Sequence, residues 1–222
     1  MKRWISLDAA RTPGGKTISL HQHDRDYAIR VDGVSLMSTR THASEDRVAE
    51  LACAHAKQIR SARVLIGGLG FGFTLSSALA ALAPDAKVVV AEILAAVVAW
   101  NRNPLFPLAG AAMTDPRVTV VNRDVVDVIR ESTGGFDSIV LDVDNGPAAL
   151  SDGGNRHLYD LEGLRLTLAA LRPGGCAAFW SAAGDAAFEK LIARAGFEVE
   201  VERCRAHANG GSWHTLFLGR RK

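Results

Sequence analysis

The sequence predicts an α/β fold: a doubly wound, mostly parallel sheet preceded by a small N-terminal β-hairpin region. Three observations carry this expectation. From residue 63 onward, short apolar runs alternate with segments of helical period, the order that parallel βαβ units impose. The first run, Val64-Leu65-Ile66, flows into a glycine cluster (Gly67, Gly68, Gly70, Gly72) and then into an alanine- and leucine-rich segment. Acids stand at the ends of later runs: Glu92, Asp124, and the closely spaced Asp142 and Asp144.

Residues 1–40 read as β structure. Thr17–His21 and Tyr27–Val31 are strand-like, and Asp32-Gly33 before Val34-Ser35-Leu36 is a hairpin turn, because two-residue turns favour residues that accept positive φ. This region is too short to enclose a core, so it must lie on the main domain, residues 41–222, or on a second subunit. Ser44 is a candidate N-cap, with Glu45 and Asp46 in the first turn and a helical period running to Ile59. A helix over 74–82 follows the glycine turn and stops before Pro84. Val88–Val90 is the second strand, and the helix Leu94–Trp100 ends at Asn101–Pro104. Strands at Val118–Val121, Phe136–Leu141 and Cys176–Trp180 alternate with helices at Val125–Arg130, Tyr159–Leu171 and Asp185–Ala195. Two last strands, Phe197–Arg205 and Trp213–Gly219, are expected to pair antiparallel. The polar stretch from Asp142 to His157 is a candidate lid.

Composition narrows the function classes. A chain of 222 residues, 48% hydrophobic, suits one domain with a small appendage. No apolar run is long enough to span a membrane, and the N-terminus lacks the apolar stretch of a secretory leader. The net charge is only +2 with basic residues dispersed, which argues against a nucleic-acid partner. Three well-separated cysteines, Cys53, Cys176 and Cys204, fit a reduced cytoplasmic protein with buried thiols. His21-x-His23 lacks a cysteine or acid cluster at ligand spacing, so no metal site is expected. His207 and His214, beside the last hairpin, are expected to face solvent. Trp180, which closes the fifth strand, is expected to lie in the core or, as the alternative, to line an acceptor pocket.

The glycine turn carries the chemistry. Gly67, Gly68, Gly70 and Gly72 allow a tight turn and close approach of the backbone to a ligand, and the next helix offers unpaired N–H groups. From Gly68 the pattern is G-x-G-x-G, and Phe73 stands where a dinucleotide fingerprint needs its last glycine. The turn is therefore similar to the one adenosylmethionine-type enzymes place around an adenosyl sulfonium. Glu92, closing the second strand, is placed to accept hydrogen bonds from ribose hydroxyls. Asp124, with Val125 after it, either contacts the ligand or caps the helix it precedes. Asp142 and Asp144 are either turn residues or a carboxylate pair at the crevice mouth that binds and deprotonates an amine.

Residues 26–171 resemble the spermidine synthase (polyamine aminopropyltransferase) family. The resemblance rests on the Asp32-Gly33 hairpin, LMSTRTHASEDRVAEL, LIGGLGFG, Glu92, Asn122-Arg123-Asp124, FDSIVLDVDNGPA and LYDLEGLRLTLAALRPGG. It implies a Rossmann-like methyltransferase-type sheet, decarboxylated S-adenosylmethionine as co-substrate, an amine acceptor and a homodimer. It also implies that Glu92 holds the ribose, Asp124 lies near the adenine amino group, and Asp142 with Asp144 serves the reacting amine. The pattern departs from the family at three places. The aspartate that recognises the aminopropyl ammonium is Leu69 or Gly70 here, the D-x-x-D-P loop is shortened to Asp142-Val143-Asp144-Asn145-Gly146-Pro147, and the tyrosine–histidine pair is Val48-Ala49. Methyl transfer from S-adenosylmethionine is the alternative reading, and a non-catalytic nucleoside-binding homologue is the second alternative.

Overall fold

The computed structural model describes residues 3–143, 156–207 and 210–222. Near the N-terminus, β1 (Ile5–Arg11), β2 (Thr17–His23), β3 (Asp26–Val31) and β4 (Val34–Ser38) form an antiparallel sheet in sequence order. The turn between β3 and β4 has φ of 46° at Asp32 and 82° at Gly33, the positive pair of a type I′ hairpin. β1 goes beyond the strands that sequence periodicity picks out. Its side chains are mostly exposed, so no apolar alternation marks it.

The small sheet packs on its own chain. Ile18, Leu20, Tyr27 and Ile29 join one buried cluster with Val48, Phe71 and Trp100. Trp100 Nε1 donates to Asp8 Oδ2 at 2.7 Å, which ties β1 to the main body.

The large sheet contains β5 (Arg63–Gly67), β6 (Lys87–Ala91), β7 (Val118–Val121), β8 (Phe136–Leu141), β9 (Leu171–Ser181), β10 (Glu198–His207) and β11 (Gly210–Arg220). Their spatial order is β7-β6-β5-β8-β9-β11-β10. Pairing is parallel from β7 across to β9, while β11 runs antiparallel to both neighbours. The last two strands pair as expected, but β11 is inserted between β9 and β10. Its apolar run Leu216-Phe217-Leu218 explains the position, because all three side chains are buried there. β10, carrying Glu198, Glu200, Glu202 and Arg203, takes the edge, where charge discourages further pairing.

Alternation along the strands feeds two cores. Val64 and Ile66 of β5, Val140 of β8 and Ala178 of β9 face the cluster that includes α1 (Ala43–Cys53), α2 (Phe73–Ala81) and α3 (Ala95–Arg102). Leu65, Ile139, Leu141 and Phe179 face the opposite cluster with α4 (Val125–Arg130), α6 (Leu161–Ala170) and α7 (Ala186–Ala195), α5 (Arg156–Tyr159) leading into α6. Phe179 sits among Tyr159, Phe188 and Phe197 at ring separations of 5.6–6.5 Å, mostly edge to face.

Helix α1 corrects two expectations. It begins at Ala43 with His42 at the N-cap, so Ser44 lies inside the first turn and bonds side chains instead of the helix end. It also stops at Cys53, and a separate 3₁₀ turn occupies Ala56–Gln58.

From β5 the chain lays β6 and β7 on one side and β8 and β9 on the other. The carboxyl ends of β5 and β8 therefore flank the point where the winding reverses, the position at which open α/β sheets bind ligands.

Candidate active site

A cavity of about 350 Å³ opens at that switch point. It lies near the lower end of the range for small-molecule sites, roughly 300–1,000 Å³. Its floor is the large sheet's carboxyl edge, with Gly68, Gly70, Glu92, Asp124, Val125, Asp142 and Trp180 in the lining. The small sheet and its first turn close the other side through Lys16, Ile29, Leu36 and Met37.

Two glycines set the shape. Gly68 has φ of 88°, and a Cβ there would stand 2.3 Å from the Asp142 carbonyl oxygen. The ends of β5 and β8 approach this closely only because that side chain is absent. Gly70 has φ of 50°, and a Cβ there would meet Met37 Cε at 2.6 Å. Gly67 and Gly72 are outside the lining; Gly67 packs against Val125, and Gly72 is the N-cap of α2. Asn101 fixes the turn from behind. Its Nδ2 donates to the Gly70 carbonyl at 2.8 Å, while its Oδ1 accepts from the Ala109 N–H at 3.1 Å. In sequence, Asn101 was legible only as a helix stop.

Glu92 is 7% exposed. Its carboxylate accepts from the Leu69 N–H at 2.9 Å and from the Leu94 N–H at 2.8 Å. These bonds hold the carboxylate against the glycine turn. Asp124 bears out the capping reading and also lies at the cavity. It caps α4 by accepting from the Val126 N–H at 2.8 Å, and it lines the cavity.

Asp142 ends β8 and accepts from the Thr74 hydroxyl at 2.7 Å. Burial raises its pKa, and the Thr74 hydrogen bond opposes that shift. Asp144 and the rest of the lid stretch and shortened loop over residues 145–155 lie outside the described residues. Among the described residues, the acid beside Asp142 is Glu45, from the first turn of α1. Burial, then the negative charge of Asp142, pushes its pKa up to about 7, opposed by the Ser44 hydroxyl that donates to it. Burial and like-charge repulsion disfavour two simultaneous carboxylates here, so the two acids titrate as a pair. Sequence reasoning placed Glu45 only at a helix start. The missed signal is spacing: Glu45 shares the face of Val48, Ala49 and Ala52, all buried, so a charge sits on the apolar side of the helix.

Trp180 lines the same cavity and meets the His214 ring edge to face at 4.7 Å. His214 is half-buried and bonded to Ser44, which corrects the expectation that it faces solvent. Tyr159 is buried, and its hydroxyl donates to the Val143 carbonyl at 3.2 Å. Among the described residues, no group of three or more His, Cys, Asp or Glu side chains is arranged to hold a metal. No helix among them is long and apolar enough to cross a membrane.

The overall fold is that of known solved structures. A spermidine synthase in complex with the transition state analogue AdoDATO superimposes with a TM-score of 0.75, covering 98% of this chain and 72% of that one at 16% identity. The chain has the spermidine synthase fold. The Thermotoga maritima spermidine synthase matches with the same TM-score and identity over 98% of this chain. A probable spermidine synthase from Corynebacterium glutamicum matches at TM-score 0.64 and 17% identity, over 99% of this chain and 81% of that one. In sequence, the chain is similar to putrescine N-methyltransferase 1 of Nicotiana tabacum and of Nicotiana attenuata. Each is 34% identical over 116 residues, 51% of this chain and 28% of the relative. The match thus spans little more than a quarter of these relatives' length. No family model matches the chain.

Proposed function

We propose that the cavity binds an adenosyl sulfonium and that the protein transfers an alkyl group from it to a small amine. The observation that carries this reading is the juxtaposition of a nucleoside-shaped half with an acid half in one cavity. In the first, glycine backbone and Glu92 suit an adenosine ribose, with Asp124 at the adenine edge. In the second, Asp142 and Glu45 suit an amine that must lose protons to react. Alkylation at a carbon next to a sulfonium needs little covalent chemistry from the protein. Its tasks are to align the nitrogen with the carbon–sulfur bond and to keep the nitrogen's lone pair available.

Aminopropyl transfer from decarboxylated S-adenosylmethionine is the first reading, supported by the spermidine synthase fold over nearly the whole chain. A specific contact favours methyl transfer from S-adenosylmethionine as the second. Met37 fills the space beside Gly70, so no acid stands at that point of the turn to hold an aminopropyl ammonium. The sequence relatives named for methylating putrescine agree with it. The test is incubation of the protein with each donor and a panel of diamines, with products separated by mass. A product carrying an aminopropyl or a methyl group selects one reading, and no product from any pair contradicts both.

A further inference from the structure

A chain of hydrogen bonds leads from the acid half of the cavity to the surface. Glu45, on the cavity wall, accepts from Ser44 Oγ. The same oxygen is 2.8 Å from His214 Nδ1, although the two residues are 170 positions apart in sequence. His214 Nε2 is 3.0 Å from Ser212 Oγ, and Ser212 is exposed. Ser44 is fully buried and His214 partly so. Ser44 does not cap α1: it lies inside the first turn, and its hydroxyl bridges a carboxylate and an imidazole instead. The β11 strand that delivers His214 is the one inserted into the sheet, which places the ring against Trp180 and beside α1.

We infer that Glu45, Ser44 and His214 form a proton exit path that carries the proton lost by the alkylated amine from the cavity to solvent. This rests on the proposed alkyl transfer. In that step the amine nitrogen's lone pair forms the new bond to carbon, the carbon–sulfur bond breaks, and its electrons neutralise the sulfonium. The nitrogen is then a cation and gives one proton to the Glu45 carboxylate. The path starts from the Nε2–H tautomer of His214, with Nδ1 bare. Protonated Glu45 donates to Ser44 Oγ, Ser44 passes its own proton to Nδ1, and the imidazolium releases the proton on Nε2 toward Ser212 and water. Exchange with water returns the ring to the Nε2–H tautomer before the next turnover. The path ends with the Ser44 hydroxyl pointing back at the Glu45 carboxylate, the direction of the bond in the structure. Glu45 touches the cavity, whereas Ser44 and His214 act through it and are positioning residues.

Burial and the neighbouring carboxylates raise the proton affinity of Glu45, so it can take the proton from the amine. Glu45 faces Asp142 from β8 and Asp46 from its own helix, and it lies within electrostatic reach of Cys204 on β10. Cys204 is also the ladder partner of His214. Burial holds the imidazole below its usual pKa, so it does not retain the proton.

The first test is ¹⁵N-histidine NMR titration of the parent chain, Glu45→Gln and Ser44→Ala. A connected path predicts that the His214 midpoint falls by roughly 0.5–1 pH unit in Glu45→Gln, since a carboxylate joined through Ser44 favours the imidazolium. Ser44→Ala should make the remaining Glu45 titration invisible at His214. An unchanged midpoint in both overturns the path, whether or not the protein turns over any donor. The second test is turnover. His214→Ala should lose about tenfold or more in kcat with KM unchanged, and added imidazole should restore it in proportion to concentration. Parental kcat in His214→Ala, or a loss that imidazole leaves untouched, contradicts the path. Absence of turnover in the parent contradicts the alkyl transfer instead.

Discussion

Glu45→Gln is the most informative single change. The Glu45 pKa is near 7 in the folded protein against a usual 4.5, because the side chain is buried and faces Asp142. A raised carboxyl pKa means that the folded state resists ionisation. Below pH 4.5 both folded and unfolded chains carry the proton, and the associated stability is present in full. As pH rises toward 7 the unfolded chain ionises first, and that stability is lost. The shift of about 2.5 units sets a ceiling of about 3 kcal/mol above pH 7. Because Asp142 shares the coupling, an effect of about 1–3 kcal/mol is expected. Glutamine has nearly the same shape and can still accept from Ser44, so packing is preserved. Glu45→Gln should therefore match the parent at pH 4 and exceed it in stability at pH 8. For a chain of this size the gain corresponds to about 2–12 °C in Tm. Urea unfolding of both proteins at pH 4, 6 and 8 reads the difference. A constant difference across pH, or a less stable variant at pH 8, would refute the pairing of Glu45 with Asp142.

Other changes test separate parts of the account. Gly68→Ala places a methyl 2.3 Å from the Asp142 carbonyl at positive φ, so it should destabilise by about 1–3 kcal/mol and abolish nucleoside binding by calorimetry. Thr74→Val removes the hydroxyl that favours the Asp142 carboxylate, so the acid limb of the pH–rate profile should move upward in pH while the fold, read by circular dichroism, is retained. Phe179→Ala empties the centre of the aromatic cluster and should cost about 3–5 kcal/mol in urea unfolding without altering the site's own residues.

Much of the architecture is legible in the chain because it obeys local rules. The parallel strands are short apolar runs, Asp32-Gly33 has the chemistry of its turn, and the glycine cluster sits where strand ends approach closely. β1 escapes because an exposed edge strand carries no apolar alternation. The insertion of β11 escapes because strand order depends on which edge can bury Leu216-Phe217-Leu218, and hairpin pairing alone leaves that open. At the site, Glu92 stands out because it follows its strand directly, and Asp124 because it comes three residues after one, just before a helix. Glu45 and His214 do not, because their meeting joins the first turn of α1 to a strand 170 residues later. Only the acid on the apolar face of α1 hints at it. Asn101 is hidden for a related reason: a residue that ends one helix also fastens the glycine turn.

The central claim is that the cavity holds an adenosyl sulfonium, and calorimetric titration tests it most directly. The protein would be titrated with S-adenosylmethionine, its decarboxylated form and methylthioadenosine, each beside the Gly68→Ala variant. The account predicts saturable binding of at least one donor and of methylthioadenosine, lost in the variant. No heat of binding from any of the three with the folded parent protein would contradict it.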